Sequence, residues 1–176
     1  RKVAKMMAEN PLLISLKARQ LGITWLVASY VLYKAITNPL YLAVIFSTTE
    51  DLSIEFLERI YFIADRCPLW MGLTGPQVKS RTKQVFEIEN VATKTRSCIK
   101  SLPTTTMGGQ SKTPNLLIMD ETCTNPLAGA IYNATMPGIE AAKGQVIIVS
   151  NAIKVGAGWL FTRDLYMASM RGQNKF

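Results

Sequence analysis

Histidine is absent from the 176 residues, and cysteine occurs three times only, as Cys67, Cys98 and Cys123, far apart and without a C-x-x-C pair. That excludes the usual zinc ligand sets, leaves no even-numbered disulfide framework, and suits a reducing compartment. Missing too is any uninterrupted apolar run of the ~18–20 residues that a membrane-spanning helix needs. The longest candidate, 21–36, is interrupted by Gly22, Thr24, Ser29 and Lys34, so a buried helix is the better reading and no membrane is expected. Acidic residues are scarce, 12 against 20 Lys and Arg, which leaves a net charge of +8. Such an excess suits a polyanionic partner, because clustered Lys and Arg release counterions from nucleic acid, although a solvated basic surface has the same composition. Neither an initiating Met nor a secretory h-region precedes Arg1, which reads as a piece of something longer. No internal repeat and no low-complexity tract interrupt the chain.

What is present is globular. Apolar residues make up 48% and charged residues 18%, and the length suits one domain, 1–176, able to bury most of its unfolded surface. Taken in order, the chain reads as a helix ending at Asn10-Pro11, a strand over 12–16, a nearly all-apolar helix over 24–36 and a strand over 41–46. Ser47-Thr48-Thr49-Glu50 has capping-box spacing and opens a helix over 49–66 that places Leu52, Phe56, Ile60 and Ile63 on one face. A Gly/Pro-containing loop, 69–83, carries Lys79, Arg81 and Lys83; these read either as a solvated face or as a nucleic-acid contact. Strand-like runs at 84–89 and 96–102 suggest an antiparallel pair. A polar loop, 103–114, leads to a strand over 115–120, then a helix from Asn125-Pro126 to about Thr135, broken at Pro137-Gly138. A strand over 146–149 ends at Ser150-Asn151, and an amphipathic helix over 159–170 follows. Strands alternating with helices predict an α/β fold with a mostly parallel central sheet and helices on both faces. Trp70, Trp159 and the tyrosines are expected in the core or along its edges.

Three stretches carry chemistry. The run Leu12 to Leu16 stops at Lys17-Ala18-Arg19-Gln20-Leu21-Gly22-Ile23-Thr24 and a helix follows at once. Strand, loop, helix is the setting of a phosphate loop, whose N–H groups and helix N-terminus point at an anion. Against G-x-x-x-x-G-K-[ST], Gly22 and Thr24 are in register, Lys17 stands in place of the first Gly and Ile23 in place of the Lys. The loop then needs another cation, for which Lys17 and Arg19 are the candidates, although both also read as surface charges. The second stretch, Leu116-Leu117-Ile118-Met119-Asp120-Glu121, is a buried strand ending in two carboxylates. Asp120 is placed to hold Mg²⁺ together with the Thr24 hydroxyl, and Glu121 to orient the attacking water. The third is Ser150-Asn151, which a bland reading makes a cap or turn. In a parallel sheet all three lie at strand C-termini, where ligands bind, and together they indicate a nucleotide hydrolase with a Mg²⁺ ion.

Lys17 through Thr24, then Leu117-Ile118-Met119-Asp120-Glu121 about a hundred residues on, then Ile148-Val149-Ser150-Asn151, resemble the N-terminal ATPase domain of the large terminase subunit of tailed bacteriophages. The resemblance implies a P-loop NTPase of the additional-strand, catalytic-glutamate class that drives double-stranded DNA into a prohead. By position it implies Lys17, Ala18, Arg19, Gln20, Leu21, Gly22, Ile23 and Thr24 as Walker A, with Lys17 and Arg19 supplying the cation. Asp120 becomes the metal ligand, Glu121 the catalytic base and Ser150-Asn151 the coupling motif. The loop ahead of the acidic strand offers Lys112 and Gln110 where an arginine often reaches a neighbouring subunit's ATP, which makes Lys112 the candidate trans-acting cation. The implied partners are the portal protein and the small terminase subunit, with a homo-oligomeric ring on the prohead, a monomer in isolation, and the host cytoplasm as location. A C-terminal nuclease domain is not within 1–176, so ATP hydrolysis without DNA cleavage is expected. Two other readings remain open: a helicase or other translocase of the same class, and an inactive basic nucleic-acid-binding domain.

Overall fold

Apolar residues alternate sides along each central strand, and that alternation sorts the core into two layers. The computed structural model describes residues 2–68, 78–89, 93–105 and 113–172. In them the order is α1 (Lys2–Glu9), β1 (Leu12–Lys17), α2 (Ile23–Thr37), β2 (Leu42–Phe46), α3 (Glu50–Ala64), β3 (Val78–Arg81), β4 (Val85–Glu89), β5 (Arg96–Ser101), β6 (Leu116–Asp120), a 3₁₀ turn (Thr122–Thr124), α4 (Ala128–Ala141), β7 (Gln145–Asn151) and α5 (Ala157–Met170). The strands form one sheet in the order β1-β7-β6-β2-β5-β4-β3. Pairing is parallel from β1 through β5 and antiparallel for β4 and β3 at the far edge. Leu13, Ala43, Ile45, Leu116, Ile118, Ile147 and Val149 join α1, α2 and α3 in one apolar layer. Val44, Phe46, Leu117, Met119, Val146 and Ile148 join α4 and α5 in the other. Strands covered on both faces must be apolar at every position, which is why these runs are continuous. None of the helices is long and apolar enough to cross a membrane, among the described residues.

The mostly parallel sheet with helices on both faces is as expected, and several local expectations need correction. The helix after β2 is capped by Thr49, whose side chain accepts from the Leu52 N–H, and not by a box begun at Ser47. Its buried face is Ser53, Phe56, Leu57, Ile60, Tyr61 and Ala64, so Leu52 lies outside it. α4 runs through Pro137 to Ala141. Pro137 withholds a backbone N–H from the helix, yet the following turn buries Ile139 completely against the sheet, and that burial offsets the defect.

The segment 78–81, read as part of a loop, is the edge strand β3. Its basic residues are largely paired: Arg81 makes two bonds to Asp65 (2.6 and 2.8 Å) and stacks over Tyr61, and Lys79 reaches Glu89 at 2.9 Å. The Arg81 hydrogen bond holds the Asp65 carboxyl below its ordinary range. Lys83 remains exposed in the β3–β4 turn. Two spent cations out of three favour the solvated-face reading for this stretch. Tyr33, expected at the core or its edge, is 56% exposed, and Trp70 lies outside the described residues.

Candidate active site

Because β7 lies between β1 and β6, the ends of three adjacent parallel strands bring the loop, the paired carboxylates and Ser150-Asn151 to one edge of the sheet. Register fixes the juxtaposition: Lys17 sits opposite Asn151, and Asp120 opposite Val149. Side-chain alternation then decides which residues of each pair reach the site. Lys17 and Asn151 continue the series that faces α2 and α3. Ser150 falls on the opposite face, fully buried, where its hydroxyl accepts from the Cys123 N–H at 3.0 Å. Of the two, only Asn151 touches the acidic pair; Ser150 secures the turn behind it.

The loop between β1 and α2 is open and exposed from Ala18 to Gly22. Gly22 is the residue immediately before the helix and has φ 72°, a left-handed value that glycine adopts without penalty. Ile23 and Thr24 are half-buried at the start of α2. A cavity of about 410 Å³ is lined by Leu16, Lys17, Ala18, Arg19, Asn151 and Ala152. Size alone does not single it out: a cleft of about 400 Å³ lies at the other end of the strands. There, Gln145 and Asn115 are already bonded to backbone, through Met7 O and Asn10 O and through the Leu42 N–H.

Lys17, Glu121 and Asn151 form a closed network. Lys17 Nζ lies 3.8 Å from Glu121 Oε1, with only 10% of its side chain exposed, and donates to Asn151 Oδ1 at 3.5 Å. Asn151 Nδ2 donates to Glu121 Oε1 (2.9 Å) and Oε2 (3.2 Å), and the Asn151 backbone N–H donates to Oε2 at 3.3 Å. Glu121 adopts φ 53°, ψ 39°, unusual for a residue with a Cβ, and its N–H donates to Val149 O at 2.8 Å. That left-handed turn is what aims the carboxylate back across β7. Backbone strain at such a position is commonly associated with function.

Asp120 is 7% exposed, and its carboxyl is pushed up to about 6, chiefly by burial and then by the Glu121 charge, while Lys17 and Arg59 pull it down. Arg59 of α3, paired with Glu55 at 3.6 Å, is thus a second cation acting on the site, one whose sequence position gave no signal. Asp120 Oδ1 is buried with no hydrogen-bond partner among the described residues. An acceptor-only oxygen in that condition fits a hydrated divalent cation. No group of three His, Cys, Asp or Glu side chains is placed to hold a metal, among the described residues. A cation here would share Asp120 with hydroxyl, water and phosphate oxygens, the ligand set usual for Mg²⁺. Lys112 and Gln110 lie outside the described residues.

The elevated Asp120 carboxyl has a consequence for stability. The folded chain holds a proton on Asp120 between its ordinary value of 3.8 and about 6, where the unfolded chain has lost it. Stability therefore falls as pH rises through that window and stays lowered above it. Asp120→Asn is expected to stabilise the metal-free chain at pH 7.5, on the order of 2–3 kcal/mol, and to flatten this part of the pH profile. Thermal melts from pH 3.5 to 8 test it; an Asp120→Asn variant that melts below the parent at pH 7.5 contradicts it.

The same fold occurs in phage large terminases. The large terminase ATPase domain of Thermus phage P74-26 matches with a TM-score of 0.70 at 15% identity, over 90% of this chain and 67% of that one. The large terminase of another thermophilic bacteriophage matches at 0.72 and 13%, over 96% of this chain and 40% of that one. The large terminase of bacteriophage HK97 matches at 0.66 and 15%, over 96% and 37%. The chain thus spans about two fifths of these two longer terminases. The second of the three proteins has also been solved in complex with ADP and with ATP-gamma-S, and those forms share the fold at TM-scores of 0.62 and 0.60. No protein-family model and no curated protein sequence matches the chain.

Proposed function

We propose, for a chain with the fold of phage large-terminase ATPase domains, that it binds and hydrolyses ATP and is the motor of a DNA-packaging terminase. One observation carries the reading: Lys17, Asn151 and the Asp120-Glu121 pair, from three separated segments, meet on adjacent strands beside a glycine-bent loop that opens a helix. The nucleotide-bound structures of the thermophilic bacteriophage terminase, which share this fold, support a nucleotide as the ligand.

In this reading the residues from Lys17 to Thr24 wrap the phosphates, with backbone N–H groups and the α2 N-terminus facing the anion. Lys17 and Arg19 supply the cationic charge that Ile23 does not. Thr24 and Asp120 are the residues that would hold Mg²⁺, which would supply charge neutralisation at the phosphate oxygens. Glu121 accepts a proton from the water whose oxygen attacks the γ-phosphorus, the bond to the β–γ bridging oxygen breaks, and ADP and phosphate leave. Asn151 links the two ends of the reaction: its carboxamide touches both Lys17 and Glu121. Lys17 cannot move to a phosphate without loosening its hold on Glu121, so phosphate capture and release of the base are one event.

The motor acts on double-stranded DNA at the portal, with a small terminase subunit, as a ring on the prohead and a monomer alone, in the host cytoplasm. Lys112 is its candidate trans-acting cation. Translocation on duplex without strand separation distinguishes this motor from a helicase. An intact Asp120-Glu121 pair argues against a domain that has lost turnover.

Lys17→Ala tests the assignment. Loss of a charge-assisted contact to phosphate is expected to weaken ATP binding about 10- to 100-fold and to lower hydrolysis with it. Calorimetric titration and phosphate release on the purified chain measure both. Parent-like affinity and rate in Lys17→Ala would transfer the role to Arg19.

A further inference from the structure

Two side-chain oxygens are buried without a hydrogen-bond partner among the described residues: Asp120 Oδ1 and Ser47 Oγ. Buried polar atoms are normally satisfied, and each exception calls for a physical explanation. These two are neighbours. β2 and β6 pair in parallel with Phe46 opposite Met119, so one step further brings Ser47 level with Asp120. Both also fall on the same side of the sheet. Ala43 and Ile45, like Leu116 and Ile118, belong to the layer under α2 and α3, and Ser47 and Asp120 are the next members of those two series. Lys17 and Asn151 continue their own series onto that face as well.

The backbone around Ser47 is fixed to the acidic turn. Asn125 Nδ2 and Thr104 Oγ1 both donate to Ser47 O, at 3.0 and 3.1 Å, and Thr48 Oγ1 donates to Glu121 O at 3.2 Å. Ser47 is 1% exposed, at a depth where alanine would fill the space without a hydroxyl to desolvate. It is not the cap of α3, a role taken by Thr49. The hydroxyl therefore has no structural task on its own element. What it shares with Asp120 Oδ1 is unmet capacity to accept a hydrogen bond, on adjacent strands at the ligand-binding edge.

One class of ligand donates to both oxygens at once: the water shell of a divalent cation, which Mg²⁺ keeps in large part when bound. We infer that Ser47 is a further member of the metal–nucleotide site, a positioning residue whose hydroxyl accepts from a cation-bound water beside Asp120. It governs how tightly the cation is held and leaves the contacts to the phosphates untouched. The inference rests on the nucleotide-binding reading above and adds to it a residue from the end of β2, a strand that reading does not use.

Ser47→Ala separates this role from a structural one. Without metal, the variant is expected to melt no lower than the parent, because it loses a hydroxyl that has no partner. Its affinity for ADP in EDTA is expected to equal the parent's. The Mg²⁺ concentration at half-saturation of the protein–ADP complex, read by titrating MgCl₂ and following the thermal shift, is expected to rise about three- to tenfold. An unchanged Mg²⁺ midpoint overturns the inference. So does a lower melting temperature in EDTA, which would show that the hydroxyl holds the fold together. If the parent chain itself binds no ADP, the nucleotide reading fails first, and the role of Ser47 falls with it.

Discussion

Glu121→Gln is expected to reduce ATP hydrolysis about 10²- to 10⁴-fold while ATP still binds. The amide keeps the shape of the side chain and can still accept from Asn151 Nδ2, which approaches Glu121 at 2.9 Å. It cannot take a proton from water. It also removes the negative charge that lies 3.8 Å from Lys17 Nζ, leaving that ammonium available to a phosphate. Affinity for ATP should thus stay level or rise as turnover collapses. That divergence separates loss of a proton acceptor from general damage to the site, which would lower both. Single-turnover hydrolysis together with a binding isotherm decides the matter; a Glu121→Gln variant that turns over within about tenfold of the parent removes Glu121 from the chemistry.

The largest stability effect is expected at Gly158. A Cβ there would stand 2.3 Å from Thr122 O and 2.4 Å from Asn125 O, both backbone atoms of the turn that follows Glu121. Neither carbonyl can swing aside as a side chain can, so Gly158→Ala must lift the first turn of α5. Thr162 is also lost from its place: its hydroxyl is buried, donates to Gly158 O at 2.7 Å and pairs with Thr122 Oγ1 at 3.0 Å. Overpacking against backbone, with Phe161 and Leu165 displaced from the apolar layer under α4, is expected to cost about 3 kcal/mol or more. For a domain of this size that corresponds to a melting temperature lower by roughly 6–12 °C. Turnover should fall as well, because the turn that follows Glu121 loses the helix end packed against it. Ala157→Ser, at an exposed position one residue earlier, is the control. A Gly158→Ala variant that melts with the parent would mean that α5 does not sit on this turn in solution.

Both variants act on the same few residues after β6, and those residues show where sequence reading is strong and where it stops. Leu116 to Met119 announce a doubly covered strand simply by being apolar without interruption, and the two carboxylates after them mark its end. Nothing local says that Glu121 takes φ 53° and turns back toward β7, because a left-handed glutamate is held by the tertiary bonds around it. Position 137 misleads for the mirror-image reason. Proline is a helix breaker locally, and it is overruled by the burial of Ile139 just beyond it. β3 escapes notice because an edge strand with one covered side needs little apolar sequence: Val-Lys-Ser-Arg is held by β4 and by Arg81 on Asp65.

By itself the sequence determined most of the succession of strands and helices, the two-sided core, and the three stretches that meet at one edge of the sheet, because periodicity, glycine placement and terminal carboxylates are local signals that survive without coordinates. Only the tertiary structure decided that Asn151 rather than Ser150 touches Glu121, that Arg59 of α3 bears on Asp120, and that the register of β2 against β6 brings Ser47 level with Asp120, its hydroxyl unpaired among the described residues. Those relations depend on strand order, register and the side of the sheet each residue faces. All three are set by how the layers pack against one another, and no single segment contains them.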